Sequence, residues 1–435
     1  MYLNKFVNVY REKLIEATQE LIKIPSVKAE PKEGKPFGEE ISNALEYVLE
    51  KGRELGFLAV DVDGYAGFIE FGQGSETLAI LAHLDVVPEG DGWTHPPYGG
   101  EIHDNRIYGR GTIDNKGPAL AALYAMKAVM ESGVPVNKKV RLILGTDEES
   151  GWECMDYYFK KQPMPDFGIT PDANYPVIHA EKGIIHIQLS KKFQSGDIDK
   201  SSVRSMKGGS RPNMVPDNCV SMLADKTTLS IDGVSAHGST PDKGVNAISK
   251  TLEIMKDRGF GDNALDRFLG EINDLLGDDT KGQGLGIQLS DEVSGNLTLN
   301  LGVIDVDEKG GKAIIDIRFP VTYSQEEIMD RINNSLRGRG IESKILHSQK
   351  PLHVPKDHFL IKALSKVYEE QTGQTVDPVT IGGGTYARAL DIGVAFGPVF
   401  PGKPELAHQK DEYIDIDDLV LNTQIYAHTI AELIK

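Results

Sequence analysis

Cysteine is nearly missing from this chain: Cys154 and Cys219 are the only two in 435 residues. They lie far apart and form no Cys-x-x-Cys pattern. That argues against a structural disulfide and points to a reducing compartment, the cytoplasm. Also missing is any apolar run near the ~18 residues a membrane span needs. The opening stretch MYLNKFVNVYREKLIEATQELIKI is charged throughout and has no signal-peptide core. Positive charge is in deficit, with 47 Lys and Arg against 65 Asp and Glu and a net charge of −18. Such a balance argues against a nucleic-acid or anionic-membrane partner. Repeats and low-complexity segments are absent.

What is present is ordinary for a globular protein, 40% hydrophobic and 26% charged, in a chain long enough for two or three domains. Apolar spacing from Phe6 to Ile22 predicts a first amphipathic helix, and residues 39–55 a second. Strands are expected at 58–62, 67–71, 78–82, 140–144 and 167–170. The run at 140–144 is almost continuously apolar, as in a buried parallel sheet. From about residue 183 long alternating segments appear, at 183–192, 229–234, 296–306 and 312–321. Helical patterns separate them at 244–258, 264–276 and 324–336. The expected architecture is α/β, with a mixed, mostly parallel sheet flanked by helices. It is a discontinuous domain, 1–182 and 352–435, interrupted by an inserted α+β lid domain at 183–351.

Three of the expected strands end in acids or histidine. Residues 78–82 run into His83-Leu84-Asp85, whose first and third side chains point to the same side of an extended chain. Residues 140–144 run into Thr146-Asp147-Glu148-Glu149, and 167–170 into Pro171-Asp172. Asp114 precedes a helix with Pro118 in its first turn. The C-terminal edge of an open α/β sheet is where ligands bind. Adjacent carboxylates such as Glu148 and Glu149 repel, and a site that collects them usually holds a cation. Each of these residues is ordinary alone, as is the loop histidine His408. Together His83, Asp114, Glu149, Asp172 and His408 offer nitrogen and oxygen donors suited to Zn²⁺, Mn²⁺ or Co²⁺. They suffice for two ions sharing one bridging carboxylate.

The segments HLDVVPEGDGW, GRGTIDNKGP, TDEESG, PDA and AHQKDE, in this order and spacing, resemble the M20 co-catalytic metallopeptidases. The long insert and the phrase NMVPDN resemble the dipeptidase V-like branch of that family. The resemblance implies a zinc-peptidase-like catalytic domain holding two divalent ions, zinc foremost. Asp114 would bridge them, with His83 and Asp172 completing one ion and Glu149 and His408 the other. It implies that Asp85 hydrogen-bonds the far nitrogen of His83 and that Glu148 is the general base for a metal-activated bridging water. The peptide bond after the bridging aspartate, here Asp114-Asn115, would be cis. Asn115 stands where many relatives carry a second acid.

In the insert, His237 resembles the family's lid histidine, a donor to the tetrahedral oxyanion, and Arg318 the arginine that grips the substrate's carboxylate. Gly384 and Thr385, in a glycine run before a helix, are candidate amide donors to that carboxylate. No lysine follows where a phosphate loop requires one. The expected function is hydrolysis of unsubstituted dipeptides by a monomer that covers its own site. Tripeptidase, carboxypeptidase, N-acyl-amino-acid deacylase and succinyl-diaminopimelate desuccinylase activities are the alternatives within the family. A non-catalytic binding protein on the same scaffold would be marked by lost ligands, and none is lost here.

Overall fold

The computed structural model describes residues 2–194 and 201–435. The chain divides into two compact units. One is Met1–His179, Val354–Val379 and Thr385–Lys435, and the other is Ala180–His353 with Thr380–Gly384. The short segment Thr380–Gly384, which contains the glycine run, goes with the second unit. No helix among the described residues is long and apolar enough to cross a membrane. Cys154 and Cys219 are both buried and free.

The first unit is built on a mixed sheet ordered Leu58–Val62, Ala66–Gly72, Lys139–Gly145, Thr77–His83, Phe167–Thr170, Gly393–Ala395. The last four strands run parallel to one another. The first two form a hairpin and lie antiparallel, because a tight turn at Asp63 and Gly64, with φ of 55° and 73°, reverses the chain. Alternation along the Thr77–His83 strand feeds two cores. Leu78, Ile80 and Ala82 face one, with the helices Lys116–Ser132, Phe359–Thr372 and Ile416–Leu433. Ala79 and Leu81 face the other, with Cys154, Met155 and Tyr158 of the helix Glu153–Lys161. Both faces are covered, which explains the near-continuous apolar runs.

The first helix expected as one piece is two, Asn4–Val9 and Arg11–Ile22, broken at Tyr10, where φ is −97° and ψ 2°. The apolar spacing continues across the break, so the interruption leaves no mark on the pattern.

The second unit is an antiparallel sheet ordered Thr228–Asp232, Asn218–Leu223, Val203–Gly208, Thr298–Asp307, Gly310–Phe319, Gly183–Lys192, Glu342–Gln349. Its core combines Ile185, Ile187, Leu299, Leu301, Ile315 and Ile317 with the helices Ala247–Arg258, Ala264–Leu275 and Gln325–Ser335. A capping box between Ser324 and Glu327 starts the last of these.

Candidate metal centre

The parallel strands deliver the expected residues to one place in the first unit. His83 is the last residue of its strand and is fully buried. Its Nδ1 lies 3.0 Å from the main-chain carbonyl of Asp85, so Nδ1 carries the proton and donates it. Nε2 then holds a lone pair. That atom has no hydrogen-bond partner, yet it lies 2.9 Å from Asp114 Oδ1 and 3.5 Å from Asp172 Oδ1. A lone pair facing two carboxylate oxygens is repulsive unless a cation or proton lies among them. The donors and their convergence fit a divalent ion.

The other oxygen of Asp114, Oδ2, is 3.1 Å from His408 Nε2, and Glu149 Oε1 and Oε2 are each 3.1 Å from the same nitrogen. Two groups of potential ligands therefore form, His83–Asp114–Asp172 and Asp114–Glu149–His408, each with its donor atoms within 4.8 Å of one another. Asp114 belongs to both. His408 adopts φ 64°, a left-handed conformation uncommon for histidine, and the Asp114-Asn115 peptide bond is cis.

The electrostatics report crowded negative charge. Burial, then the charges of Asp172, Glu149 and Asp114, hold the Glu148 carboxyl well above the ordinary carboxylate range. Burial pushes Asp172 up to about 6, with Asp114 and Glu149 adding to it against His83. Burial also raises Asp114, but the imidazoles of His408 and His83 beside it outweigh that and keep the carboxyl below its usual value. Hydrogen bonds to Asp114 and Glu149 carry His408 up to about 10.

Asp85 differs from its expected geometry. Its carboxylate stands 3.5 Å from His83 Nδ1 and instead accepts the amide N–H groups of Glu148 at 3.1 Å and Glu149 at 3.0 Å. The main chain of Asp85 orients the imidazole, and its side chain orients the two glutamates. After the Lys139–Gly145 strand ends, those amides have lost their ladder partners and need an acceptor.

Asn115 and several residues the sequence did not single out hold this assembly. The Asn115 carboxamide donates to Pro171 O at 2.5 Å and to Asp172 Oδ1 at 3.2 Å. Buried Glu412 accepts from the amides of Gly111, Ile113 and Asp114 at 3.1, 2.9 and 3.3 Å, and pairs with buried Arg110 at 2.7 Å. Arg110 also donates to Gln409 O at 3.2 Å, tying the Asp114 loop to the segment beside His408. Tyr386 meets the His83 ring edge-on at 6.0 Å between centroids. Glu412 and Arg110 sit inside the AHQKDE and GRG phrases, so the signal was present, but unpaired in sequence.

The insert residues are placed within the second unit. His237 Nδ1 accepts the Ser239 amide N–H at 3.2 Å, so a neutral ring carries its proton on Nε2. Arg318 is nearly buried and its Nε edge is taken by Asp316, with contacts of 2.8, 3.0 and 2.8 Å; Nη1 donates to Gly382 O at 3.1 Å. Gly384 belongs to this unit. Thr385 belongs to the first, where its hydroxyl accepts from Ala387 N at the start of a short 3₁₀ turn, Tyr386–Ala389.

Two candidate ligand groups that share Asp114, with His83, Glu149 and Asp172 at or just after the ends of parallel strands, offer donors compatible with a pair of divalent ions. Residues 79–432 match the model of Peptidase family M20/M25/M40, and the chain belongs to that family. A Bacillus subtilis (strain 168) protein named "Putative dipeptidase YtjP" is 43% identical over 467 residues, covering 100% of each chain. A Staphylococcus epidermidis protein named "Putative dipeptidase" is 37% identical over 459 residues, covering 98% of this chain and 97% of its own. Among solved structures, aminoacylhistidine dipeptidase from Vibrio alginolyticus gives a TM-score of 0.63 at 16% identity, covering 97% and 96%. The dipeptidase Dug1p from Saccharomyces cerevisiae gives 0.61 at 14%, covering 99% and 98%. These two show the mixed α/β fold.

Proposed function

We propose that this chain is a two-metal dipeptidase that hydrolyses the peptide bond of unsubstituted dipeptides. One observation carries the metal half of this reading: each oxygen of Asp114 faces a different imidazole, so two ligand groups share one carboxylate. The relatives named above as dipeptidases support the substrate half. Bound divalent ions, zinc foremost and Mn²⁺ or Co²⁺ also compatible, supply Lewis acidity and acidify water.

The chain's own groups do the rest. Glu148, raised by its buried and anionic surroundings, takes the proton of the attacking water and returns it to the leaving amine. Asp85 fixes the glutamate's backbone. His237, protonated on Nε2, is the proposed donor to the oxyanion. Arg318, held on one edge by Asp316, and the amides of Gly384 and Thr385 are the proposed grip on the substrate's free carboxylate. The same reading makes the protein a cytoplasmic monomer, for which a stable dimer on gel filtration at micromolar concentration is the contrary result.

Glu148→Ala tests the mechanism. It should retain two equivalents of metal and lose about 10²–10⁴-fold in turnover; normal turnover with both metals bound would sink it. A panel of dipeptides, tripeptides, N-acyl amino acids and succinyl-diaminopimelate tests the substrate class. Cleavage confined to dipeptides with a free amine is the expected result.

A further inference from the structure

Outside the paired site, the first unit brings together His95, Glu101 and His103, whose donor atoms all lie within 4.8 Å of one another. None belongs to the groups around Asp114. Glu101 and His103 stand two apart on the strand Glu101–His103, so they share a face. Asp104 and Asn105, with φ of 49° and 60°, turn that strand back onto Arg106–Tyr108. Tyr413–Asp415 pairs with the far side of the second strand. Two donors therefore ride on a braced hairpin.

The third arrives from a loop that is itself anchored. The Asp411 carboxylate accepts the Thr94 amide at 2.7 Å, the Thr94 hydroxyl at 2.8 Å and the His95 amide at 3.2 Å. The His95 ring is stacked on His103, 4.6 Å away by centroids at 29°, and lies tilted against Tyr108, 4.0 Å away. His103 Nε2 is 2.9 Å from Glu101 Oε2.

We infer that His95, Glu101 and His103 form a separate site for one divalent transition-metal ion. Two imidazoles and a single carboxylate select zinc, copper or nickel over magnesium or calcium, which require oxygen-rich sets. A tetrahedral ion with bonds of ~2.0–2.2 Å needs its donors about 3.4 Å apart with both ring planes pointing at it, so the stacked His95 and His103 rings must turn toward a common point. The side chains of His103 and Glu101 are 48% and 45% exposed, which leaves them free to do so and leaves water to fill the remaining coordination. Coordination needs the Nε2 lone pair, so the proton His103 Nε2 donates to Glu101 passes to solvent and the neutral ring, as metal ligand, carries its one proton on Nδ1. Occupancy would clamp the 94–95 loop to the hairpin.

The test is zinc stoichiometry of the untagged full chain by equilibrium dialysis against buffered free Zn²⁺ and elemental analysis. Wild type should hold one equivalent more than H95Q/H103Q. H103Q alone should lose that equivalent, and E101Q should weaken it at least tenfold. These side chains lie outside the paired ligand set, so circular dichroism and peptide hydrolysis at limiting zinc should match wild type in all three variants. Equal zinc content in wild type and both histidine variants at every free-zinc level overturns the site, as does an extra equivalent that persists when the histidines are gone.

Discussion

Asp85 and Asn115 show how much of a metal centre is set by residues that bind no ion. Asp85 serves the site twice, through different atoms. Its carbonyl fixes the His83 tautomer, and its carboxylate receives the amides that place Glu148 and Glu149. The two jobs separate by mutation. Asp85→Asn keeps the carbonyl but leaves one side-chain oxygen for two amides, with an NH₂ turned toward the other. Turnover should fall about 10–100-fold, the range for lost outer partners of a metal site, while the affinity for metal at His83 changes little. Metal titrations beside kcat measurements check this; a parallel collapse in affinity would restore the side chain as the histidine's partner. Asn115 acts on Asp172 and the Pro171 carbonyl. Asn115→Leu strands a buried carbonyl, which costs about 1–3 kcal/mol, and frees the Asp172 carboxylate to rotate. Chemical denaturation should register the first effect and weaker metal retention the second. An acid at this position could make the same contact only while it held a proton.

At the scale of elements, the end of the Lys139–Gly145 strand is tightly packed. A Cβ on Gly145 would lie 1.9 Å from the Tyr386 hydroxyl, on a ring that is fully buried, hydrogen-bonded to Cys154 at 3.1 Å and set edge-on against His83. Gly145→Ala should therefore destabilise the first unit by about 1–3 kcal/mol, as overpacking does. Tyr386→Leu alone opens a cavity, but combined with Gly145→Ala it should cost less than the sum of the two. A double-mutant cycle measures that coupling, and simple additivity would show that the contact does not limit packing.

This junction also marks where the sequence stops being readable. Strand ends carrying His83, Glu149 and Asp172 were legible because buried parallel strands leave long apolar runs followed by conspicuous acids. Tyr386 behind Gly145 was not, since the contact joins residues far apart in the chain. The strands Val203–Gly208, Asn218–Leu223 and Glu342–Gln349 escaped for another reason. Glu342–Gln349, ESKILHSQ, is an edge strand with mostly exposed or half-exposed side chains and offers neither an apolar run nor clean alternation. The Arg110–Glu412 pair was illegible because a buried salt bridge looks in sequence like any two charges.

The described residues form three hydrophobic cores, two in the first unit and one in the second, and every member of the paired ligand set lies in the first unit. Within that unit, Glu148, Glu149 and Asp172 are all pushed above their ordinary values by burial and by neighbouring carboxylates, Asp114 among them in each case. Removing bound cations should therefore loosen this unit by mass action: an ion present at about 100 times its Kd contributes ~2.7 kcal/mol to the folded state. Because the contribution is local, it should appear locally in hydrogen exchange. On chelation, amides of Thr77–His83, Lys139–Gly145 and the 111–115 loop should exchange faster, while those of Gly310–Phe319 in the insert keep their wild-type rates. Exchange mass spectrometry with and without a chelator resolves these segments. Equal acceleration in both units would mean that the insert shares the stability of the metal-bound unit, and no acceleration in either would mean that the acids at the strand ends hold no ion.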